Sequence, residues 1–268
     1  MEWVKHAAGL VETLKTPRFP EALAGALQAV APYDYTVIFG YVGSSKPLAL
    51  YDDFPPERHR LHVTEYLEGP YLLDPFFLAT IDDTEEGLWR LREIAPDRFY
   101  QGEYYRSYYG QTGLAEEIGF LVRVDSRVTV VISLMRRQKR FSNAEIRALK
   151  RIWPIMRATS QAHWRGVARD DAGDAQPTRE ERIEKAFHSI GQGVLTPRER
   201  EVVEMTLRGH SAEATGNELG ISPGTVRIHR RNIYVKLRIG SQGELFSLFI
   251  NAILNDRADN STHATALL

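Results

Sequence analysis

The chain has 268 residues, of which 43% are hydrophobic and 26% are charged, and its formal net charge is −1. This length and composition indicate a globular protein of one large or two ordinary domains. The absence of cysteine excludes disulfides, thiolate metal sites and thiol catalysis. Because the overall charge is close to zero, a nucleic-acid partner would have to be indicated by local clustering of basic residues.

The sequence carries no recognisable targeting or membrane signal. The first 17 residues contain acidic side chains and lack the apolar core of a signal peptide. The longest uncharged apolar run, residues 128–135, has the length of a strand and is too short to span a membrane. We therefore expect a cytoplasmic protein with no membrane anchor.

The N-terminal part mixes helical and strand periodicity. Apolar residues at helical spacing predict helices over residues 2–15, 20–31, 56–67 and 96–109, and strands are predicted over 36–42 and 48–53. Two runs rich in Val and Ile, joined by Asp125 and Ser126, predict a β-hairpin. Ser142 and Glu145 form a capping box that begins a long helix, in which Pro154 is expected to cause a kink. These elements predict an α-β-α sandwich with a mainly antiparallel sheet, of the kind found in sensory modules.

A polar stretch divides the chain. Residues 165–181 contain Gly, Pro and several Asp, and they offer nothing from which a core could be built. We therefore predict one domain over residues 1–165, a linker over 166–190, a second, all-α domain over 191–256 and a tail over 257–268.

Helix start and stop signals are dense in the second domain. Thr196, Pro197 and Glu199 combine a cap, a first-turn proline and a capping-box acid. The next two helix starts have cap residues of the same kind, and glycines end the first two helices. The caps are Thr196, Ser211 and Ser222, and the terminating glycines are Gly209 and Gly220. Two short helices joined by a tight turn predict a helix-turn-helix.

The third helix concentrates positive charge. Residues 222–239 include five basic residues and no acid, although the surrounding domain is rich in glutamate. At 100° per residue, Val226 and Ile233 fall on an inward arc with His229, whereas Arg227 and Arg231 centre on the opposite one. A basic helix face of this kind is typical of entry into the DNA major groove.

Residues 195–254 resemble the DNA-binding domain of the LuxR/NarL-type regulators. The specific matches are Leu195, Thr196, Arg198, Glu199, Glu201, Val202, Gly209, Leu219, Gly220, Ile221, Ser222, Thr225, Val226, His229, Ile233, Lys236 and Leu237. The resemblance implies that Arg227, Ile228 and Arg231 face base edges and that Thr225 and Lys236 contact phosphates. Arg230 flanks the same face. The resemblance also implies a fourth helix, residues 241–254, that pairs two subunits. We therefore expect a homodimer on an imperfectly palindromic operator.

One position departs from the family pattern. The second helix contains Ala214, Thr215 and Gly216 where the family usually has Glu-Ile-Ala. A glycine within a helix costs roughly 1 kcal/mol relative to alanine, so this helix is expected to be loose.

The N-terminal domain is expected to carry the switch. A phospho-receiver is one alternative, because Asp52 and Asp53 follow a predicted strand. A receiver also needs an acidic pair after its first strand and a parallel βαβ alternation, and the sequence shows neither. A catalytic domain is a second alternative, but there is no phosphate-binding glycine loop and no Gly-x-Ser-x-Gly elbow. We predict no enzymatic activity, no catalytic residues and no cofactor.

A small-molecule pocket is the preferred interpretation. Tyr66-x-x-Gly69-x-Tyr71-x-x-Asp74-Pro75, with Trp89 fifteen residues after Asp74, resembles the acyl-homoserine-lactone-binding domain of LuxR regulators. In that family an Asp and a Trp at this separation bind the ligand's amide and ring. Leu61 stands where the family has another Trp. The resemblance therefore implies a LuxR solo-like regulator that responds to a small-molecule effector.

Aromatic residues between 99 and 109 extend this interpretation. Tyr100, Tyr104 and Tyr108 fall on one face at helical spacing, where they could pack in the core or line a ligand cavity. The predicted ligand-binding residues are Tyr66, Tyr71, Asp74, Trp89, Tyr100 and Tyr104. His59 and His62 also lie on one helix face, but without a third ligand they are interpreted as a solvated face and no metal site is expected.

Overall fold

The computed structural model of the chain describes residues 2–42, 46–82, 84–167, 187, 190–191 and 193–252. The predicted linker lies largely outside these residues and the predicted tail lies wholly outside them. Contacts between Cα atoms group the chain into two units. Unit 1 comprises Met1–Val63, Phe76–Ile94 and Gly113–Arg179, and unit 2 comprises Thr64–Pro75, Ala95–Thr112 and Glu180–Leu268. The predicted domain boundaries stay a prediction.

Unit 1 is built on a five-stranded sheet with the strand order β2-β1-β5-β4-β3. The strands are β1 Tyr35–Val42, β2 Leu48–Asp52, β3 Gly87–Arg90, β4 Glu116–Arg123 and β5 Val128–Arg136. All of the described strand pairs are antiparallel. The predicted mainly antiparallel sheet is therefore confirmed, and the parallel alternation that a receiver requires is not formed by these strands.

The register of the sheet is set by its two central strands. β1 pairs with β5 from Tyr35 opposite Met135 to Val42 opposite Val128. β4 pairs with β5 along its whole length as the predicted hairpin. In its turn, Asp125 accepts the Arg127 amide at 2.8 Å, which confirms the local turn chemistry expected there.

Helices cover one face of the sheet. They are α1 Glu2–Glu12, α2 Phe19–Val30 and α7 Asn143–Trp164. Ile38, Phe120 and Ile132 lie opposite one another on neighbouring strands and are fully buried in the core that these helices complete. The predicted capping box of α7 is confirmed, because Ser142 and Glu145 exchange hydrogen bonds, and the helix continues through Pro154.

The other face of the sheet is covered as well. The short helices of unit 1 are α3 Pro56–His59, α4 Pro75–Ala79 and α5 Leu91–Ile94, and α6 Glu103–Ser107 belongs to unit 2. Tyr41 packs against Phe77 with ring centroids 5.4 Å apart. Gly119 lies so close to the Phe76 ring that a Cβ atom there would collide with it. Because both faces are buried, β5 is buried throughout, and the predicted α-β-α sandwich is confirmed.

Arg90 and Glu116 form a buried ion pair in unit 1. Arg90 Nη1 lies 2.9 Å from Glu116 Oε1, and both side chains are at most 6% exposed. Arg90 Nη2 also donates to the Phe141 carbonyl, and Glu116 accepts the Phe141 amide. The pair therefore fastens β3 and β4 to the chain just before α7.

Two predicted helices are irregular, which corrects the sequence prediction. Residues 56–67 form α3, a π-helical stretch over Arg60–Glu65 and a 3₁₀ turn at Tyr66–Glu68. The second region, 96–109, is split by Gly102, whose extended backbone (φ −72°, ψ 161°) ends one turn and caps α6. The spacing of apolar residues did not reveal these breaks, because apolar side chains can face the core in a continuous α-helix and in an interrupted one.

The C-terminal part of unit 2 contains four helices among the described residues. They are α8 Pro197–Arg208, α9 Ala212–Leu219, α10 Pro223–Leu237 and α11, residues 242–252. The predicted caps Thr196, Ser211 and Ser222 all accept a backbone amide from their own helices. Gly209 and Gly220 both have positive φ at the predicted helix ends. None of the described helices has the length and apolar character needed to cross a bilayer.

Candidate DNA-binding surface and tyrosine cluster

The third helix of the C-terminal part, α10, divides into an inner and an outer face as its sequence indicates. Val226 and Ile233 are buried, at 0% and 1% exposure. Arg227, Ile228 and Arg231 are exposed. Ile228 is 59% exposed, which is unusual for an isoleucine and adds an apolar side chain to the exposed part of this helix. This face can offer both fork-shaped donors and an apolar contact to base edges.

Two of the predicted DNA-contacting cations, Lys236 and Arg230, form contacts within the C-terminal part itself. Lys236 Nζ lies 2.7 Å from Oε2 of Glu199, whose side chain is 4% exposed. Burial alone would raise the pKa of Glu199, but hydrogen bonds from Lys236 and Thr196 outweigh it and the pKa lies below its usual value. Arg230 donates to the His210 carbonyl at 2.8 Å. Their contact with DNA stays a prediction, and both also join α10 to earlier segments.

Two more of the predicted contacts, Arg227 and Thr225, are less constrained. Arg227 pairs with Glu213 at 2.6 Å, and both side chains are more than half exposed. Thr225 lies in the first turn of α10, where its hydroxyl is 2.8 Å from the hydroxyl of the cap Ser222. Exposed ion pairs contribute little to stability, so Arg227 can leave Glu213 at small cost when DNA binds.

Gly216 has a function that its sequence context did not reveal. α9 is formed from Ala212 to Leu219, and the looseness expected of it stays a prediction. A Cβ atom on Gly216 would stand 2.7 Å from the carbonyl oxygen of Ile221. The Ile221 amide donates to the Gly216 carbonyl at 2.9 Å. The glycine is therefore required by the close approach of the turn between α9 and α10.

Four buried tyrosines and one carboxylate gather in unit 2, and we call them the tyrosine cluster. Its members are Tyr66, Tyr71, Asp74, Tyr104 and Tyr108. The Tyr66 hydroxyl donates to Asp74 Oδ2 at 2.6 Å. Ring centroids of Tyr66 lie 6.2 Å from Tyr71 and 6.5 Å from Tyr108. Tyr104 completes the cluster at 5.6 Å from Tyr108.

The structure thus brings together four of the six predicted ligand-binding residues. Tyr66, Tyr71 and Tyr104 are between 3% and 6% exposed, while Tyr100 is 50% exposed and packs against Phe99. Trp89 belongs to unit 1, on β3, where its indole Nε1 donates to the Glu85 carbonyl at 2.8 Å. The predicted common face of Tyr100 and Tyr104 is wrong, because Gly102 interrupts the helix between them.

The sequence prediction was incomplete in two places. Tyr108 belonged to the predicted aromatic stripe but was not among the predicted ligand-binding residues. β3 was not predicted, because four residues are too few for a periodicity signal.

The position of His62 corrects the interpretation that it lies on a solvated helix face. It is 6% exposed and stacks on Phe54 with ring centroids 4.2 Å apart, so it does not lie on a solvated face. Burial, with the nearby charge of Arg58, lowers the pKa of His62 to about 4. Within the described part of the chain, no three His, Asp or Glu side chains are grouped to hold a metal ion.

The chain combines the sandwich of unit 1 with a capped helix-turn-helix whose third helix is basic. This combination is typical of helix-turn-helix transcriptional regulators. Residues 193–249 match the model of the luxR family of bacterial regulatory proteins. An HTH-type transcriptional regulator from the exeN 3′ region of Aeromonas salmonicida is 34% identical over 187 residues, which cover 68% of this chain and 95% of that one. The chain therefore belongs to the luxR family, and it is a DNA-binding transcriptional regulator.

Two further relatives extend over the N-terminal part. The monoamine regulon transcriptional regulator of Klebsiella aerogenes is 25% identical over 198 residues, covering 72% of this chain and 77% of that one. The crystal structure of the VqsR LBD domain from Pseudomonas aeruginosa matches with a TM-score of 0.54 and 27% identity, over 61% of this chain and 96% of that chain. The sandwich is therefore similar in fold to a domain named as a ligand-binding domain.

Proposed function

We propose that the N-terminal part binds a small organic effector and that this binding controls how the helix-turn-helix binds its operator. The observation that carries the proposal is the hydrogen bond between Tyr66 and Asp74 inside the buried tyrosine cluster. Asp74 is partly buried, and a carboxylate among aromatic rings is costly for packing alone, since withdrawing a charge from water costs free energy unless it is paired. Ligand pockets combine mainly aromatic walls with a few such polar groups.

The chemistry of the tyrosine cluster favours an effector with an amine or amide group. A carboxylate can accept several hydrogen bonds at once, so Asp74 can hold Tyr66 and an N–H donor of the effector together. Tyrosine ring faces also attract cations. The name of the relative from Klebsiella aerogenes, a monoamine regulon transcriptional regulator, supports this class of effector.

The effector is to be found by a thermal-shift screen of amines, amides, lactones and aromatic acids against the full chain. A ligand at one hundred times its dissociation constant stabilises the folded state by about 2.7 kcal/mol, which raises the melting temperature by about 5–10 °C for a protein of this size. The shift is expected to disappear in Asp74→Asn.

Asp125→Asn is the matched control, because it removes the same charge from an exposed hairpin turn. A shift that is lost in Asp74→Asn and kept in Asp125→Asn supports the proposal. A hit that keeps its full shift in Asp74→Asn would place the effector elsewhere.

We further propose that the chain binds DNA as a homodimer paired through α11. Leu245 and Phe249 of α11 are buried, whereas Leu248 on its outer face is 39% exposed. A single helix-turn-helix contacts too little DNA for tight specificity, and two copies reading two half-sites overcome this.

Sedimentation of the full chain with a 30-bp duplex is expected to show two chains per duplex. Leu248→Glu should reduce the complex to one chain, because it places a charge in the proposed contact. Val194→Glu makes the same change at another exposed apolar residue and should leave the dimer intact. One chain per duplex in the unaltered protein would exclude the dimer.

A further inference from the structure

Positive charge is concentrated in a second part of the chain, far from α10 in the sequence. Residues 136–157 contain 8 of the 34 Lys and Arg residues of the chain but only 1 of its 35 Asp and Glu residues, which is Glu145. The segment runs from the end of β5 into α7 and belongs to unit 1. Because the net charge of the chain is −1, the remaining residues carry more acids than bases. The segment is therefore a local positive region on an otherwise acidic chain.

Two of the eight cations already have partners within the fold. Arg136 is buried and pairs with Glu145 at 2.6 Å. The carboxylate of Glu145 also accepts the Ser142 amide at 2.7 Å. Arg157 lies 3.7 Å from Glu86. The one acid of the segment is thus committed to Arg136 and to the cap of α7, and it is not available to the other cations.

The other six cations form a surface that we call the basic surface. They are Arg137, Lys139, Arg140, Arg147, Lys150 and Arg151. All six are exposed, and among the described residues no carboxylate forms an ion pair with any of them. Single unpaired cations are common on protein surfaces. Six of them within fifteen residues form a patch whose charge the fold leaves unbalanced.

The cations of the basic surface repel one another in the free protein. Arg147 and Arg151 stand one turn apart on α7, where like charges destabilise a helix, and Lys150 lies on the same side. Lys139 and Arg140 precede α7, at the end where the helix dipole is positive and favours anions. Binding of a polyanion would remove this repulsion and release counterions, so the arrangement favours such a partner.

The fold also holds the backbone of the basic surface in place. Arg136 donates to the Pro32 carbonyl at 2.8 Å and to the Arg140 carbonyl at 3.2 Å. Asp34, the other acid that contacts this segment, accepts the Arg137 amide at 2.7 Å. The connection from β5 to α7 is therefore fixed at several points. A surface that is already ordered loses less entropy when a partner binds.

We propose that the basic surface is a second DNA-contacting surface, which binds backbone phosphates without regard to base sequence. The chain is a DNA-binding regulator, so a duplex bound by its helix-turn-helix is held at a high local concentration for the rest of the chain. Duplex DNA carries a negative charge about every 1.7 Å of its length, so several cations can each meet a phosphate. The proposal goes beyond effector binding and does not depend on it.

The test compares the full chain with the triple variant Arg147→Ala, Lys150→Ala, Arg151→Ala in binding to a fluorescein-labelled 30-bp duplex of mixed sequence. Affinity is measured without effector over a series of NaCl concentrations. Each phosphate contact that is lost lowers the slope of log affinity against log salt by about 0.9, so the slope should fall by about 2–3 and the affinity at low salt roughly tenfold or more. Because alanine is the best helix former and the three residues are exposed, the melting temperature should not fall.

The triple variant Lys5→Ala, Arg18→Ala, Arg127→Ala is the matched control, since it removes the same charge from exposed positions of unit 1 outside the basic surface. Its slope should change by less than about one phosphate contact. Equal losses in the two variants would reduce the effect to net charge. An unchanged slope in the first variant would show that the basic surface does not contact DNA. Either result overturns the proposal.

Acetylation of lysine side chains, followed by mass spectrometry, gives a direct readout. Lys139 and Lys150 should react more slowly with acetic anhydride when the full chain is saturated with duplex, whereas the exposed Lys5 should react at the same rate. Equal rates for all three lysines with and without DNA would contradict the proposal.

Vesicles of phosphatidylserine and phosphatidylcholine distinguish DNA from an anionic membrane. The proposal fails if the first triple variant loses binding to these vesicles while keeping the full salt slope on DNA. None of these measurements uses an effector, so their failure would leave the proposed effector binding untouched, and a thermal-shift screen without hits would leave the DNA contact of the basic surface untouched.

Discussion

Replacing Glu116 with alanine is expected to lower the free energy of unfolding by about 3–5 kcal/mol, because it leaves a buried guanidinium without its counter-charge. Among the described residues, the Arg90 guanidinium would keep only the Phe141 carbonyl as a hydrogen-bond partner, and the Phe141 amide would lose its acceptor as well. At about 2–4 °C per kcal/mol, the melting temperature should fall by about 6–20 °C. Urea or thermal unfolding followed by circular dichroism measures the effect.

A matched control exists on the surface of unit 2. Glu201 pairs with Arg198 at 2.6 Å, but its side chain is 48% exposed. Glu201→Ala removes the same group from water rather than from the interior, so a change below about 1 kcal/mol is expected. Should Glu116→Ala cost no more than Glu201→Ala, the buried pair would have no structural importance. The double replacement of Arg90 and Glu116 by apolar residues is expected to recover part of the loss.

Replacing Arg227 or Arg231 with alanine is expected to weaken specific DNA binding by about 1–3 kcal/mol each, or roughly 5- to 150-fold. Both guanidinium groups lie on the exposed face of α10, and the pair of Arg227 with Glu213 is too exposed to compete strongly with DNA. An operator is first selected from random duplexes, and fluorescence anisotropy then compares it with a scrambled duplex.

The control for this prediction keeps the charge. Arg227→Lys retains the attraction to phosphates but loses the planar fork that reads a guanine edge, so specificity should fall while binding to the scrambled duplex is kept. Lys236 and Arg230 are unsuitable controls, because their loss would also break contacts with Glu199 and His210. Unchanged preference for the operator in both alanine variants would show that α10 reads DNA through other residues.

The features that the sequence predicted well are those that depend on neighbours in the chain. The caps Thr196, Ser211 and Ser222 were correct because a cap needs only an oxygen two or three residues from an amide. The β4–β5 hairpin was correct for the same reason, since its turn brings adjacent residues together. The inner face of α10 was predicted correctly because an α-helix turns by a fixed angle of about 100° per residue.

Predictions from neighbouring residues failed where tertiary packing overrides the periodicity of the sequence. Helical spacing in residues 96–109 suggested one continuous face, but Gly102 adopts an extended backbone and Tyr100 lies outside the buried group. From the sequence, Gly216 looked like a weak point within a helix. The need for a glycine there could not be predicted, because the carbonyl oxygen that approaches it belongs to a residue of the following turn.

By itself, the sequence of this protein determined a helix-turn-helix with a basic third helix and an antiparallel sandwich before it, because capping, turns and amphipathic periods are short-range properties. Only the tertiary structure decided which distant groups meet. Arg90 finds Glu116, residues 26 positions apart, and Asp97 finds Ser211, residues 114 positions apart. Such contacts depend on strand register and on how layers pack, and a period along the chain carries no information about either.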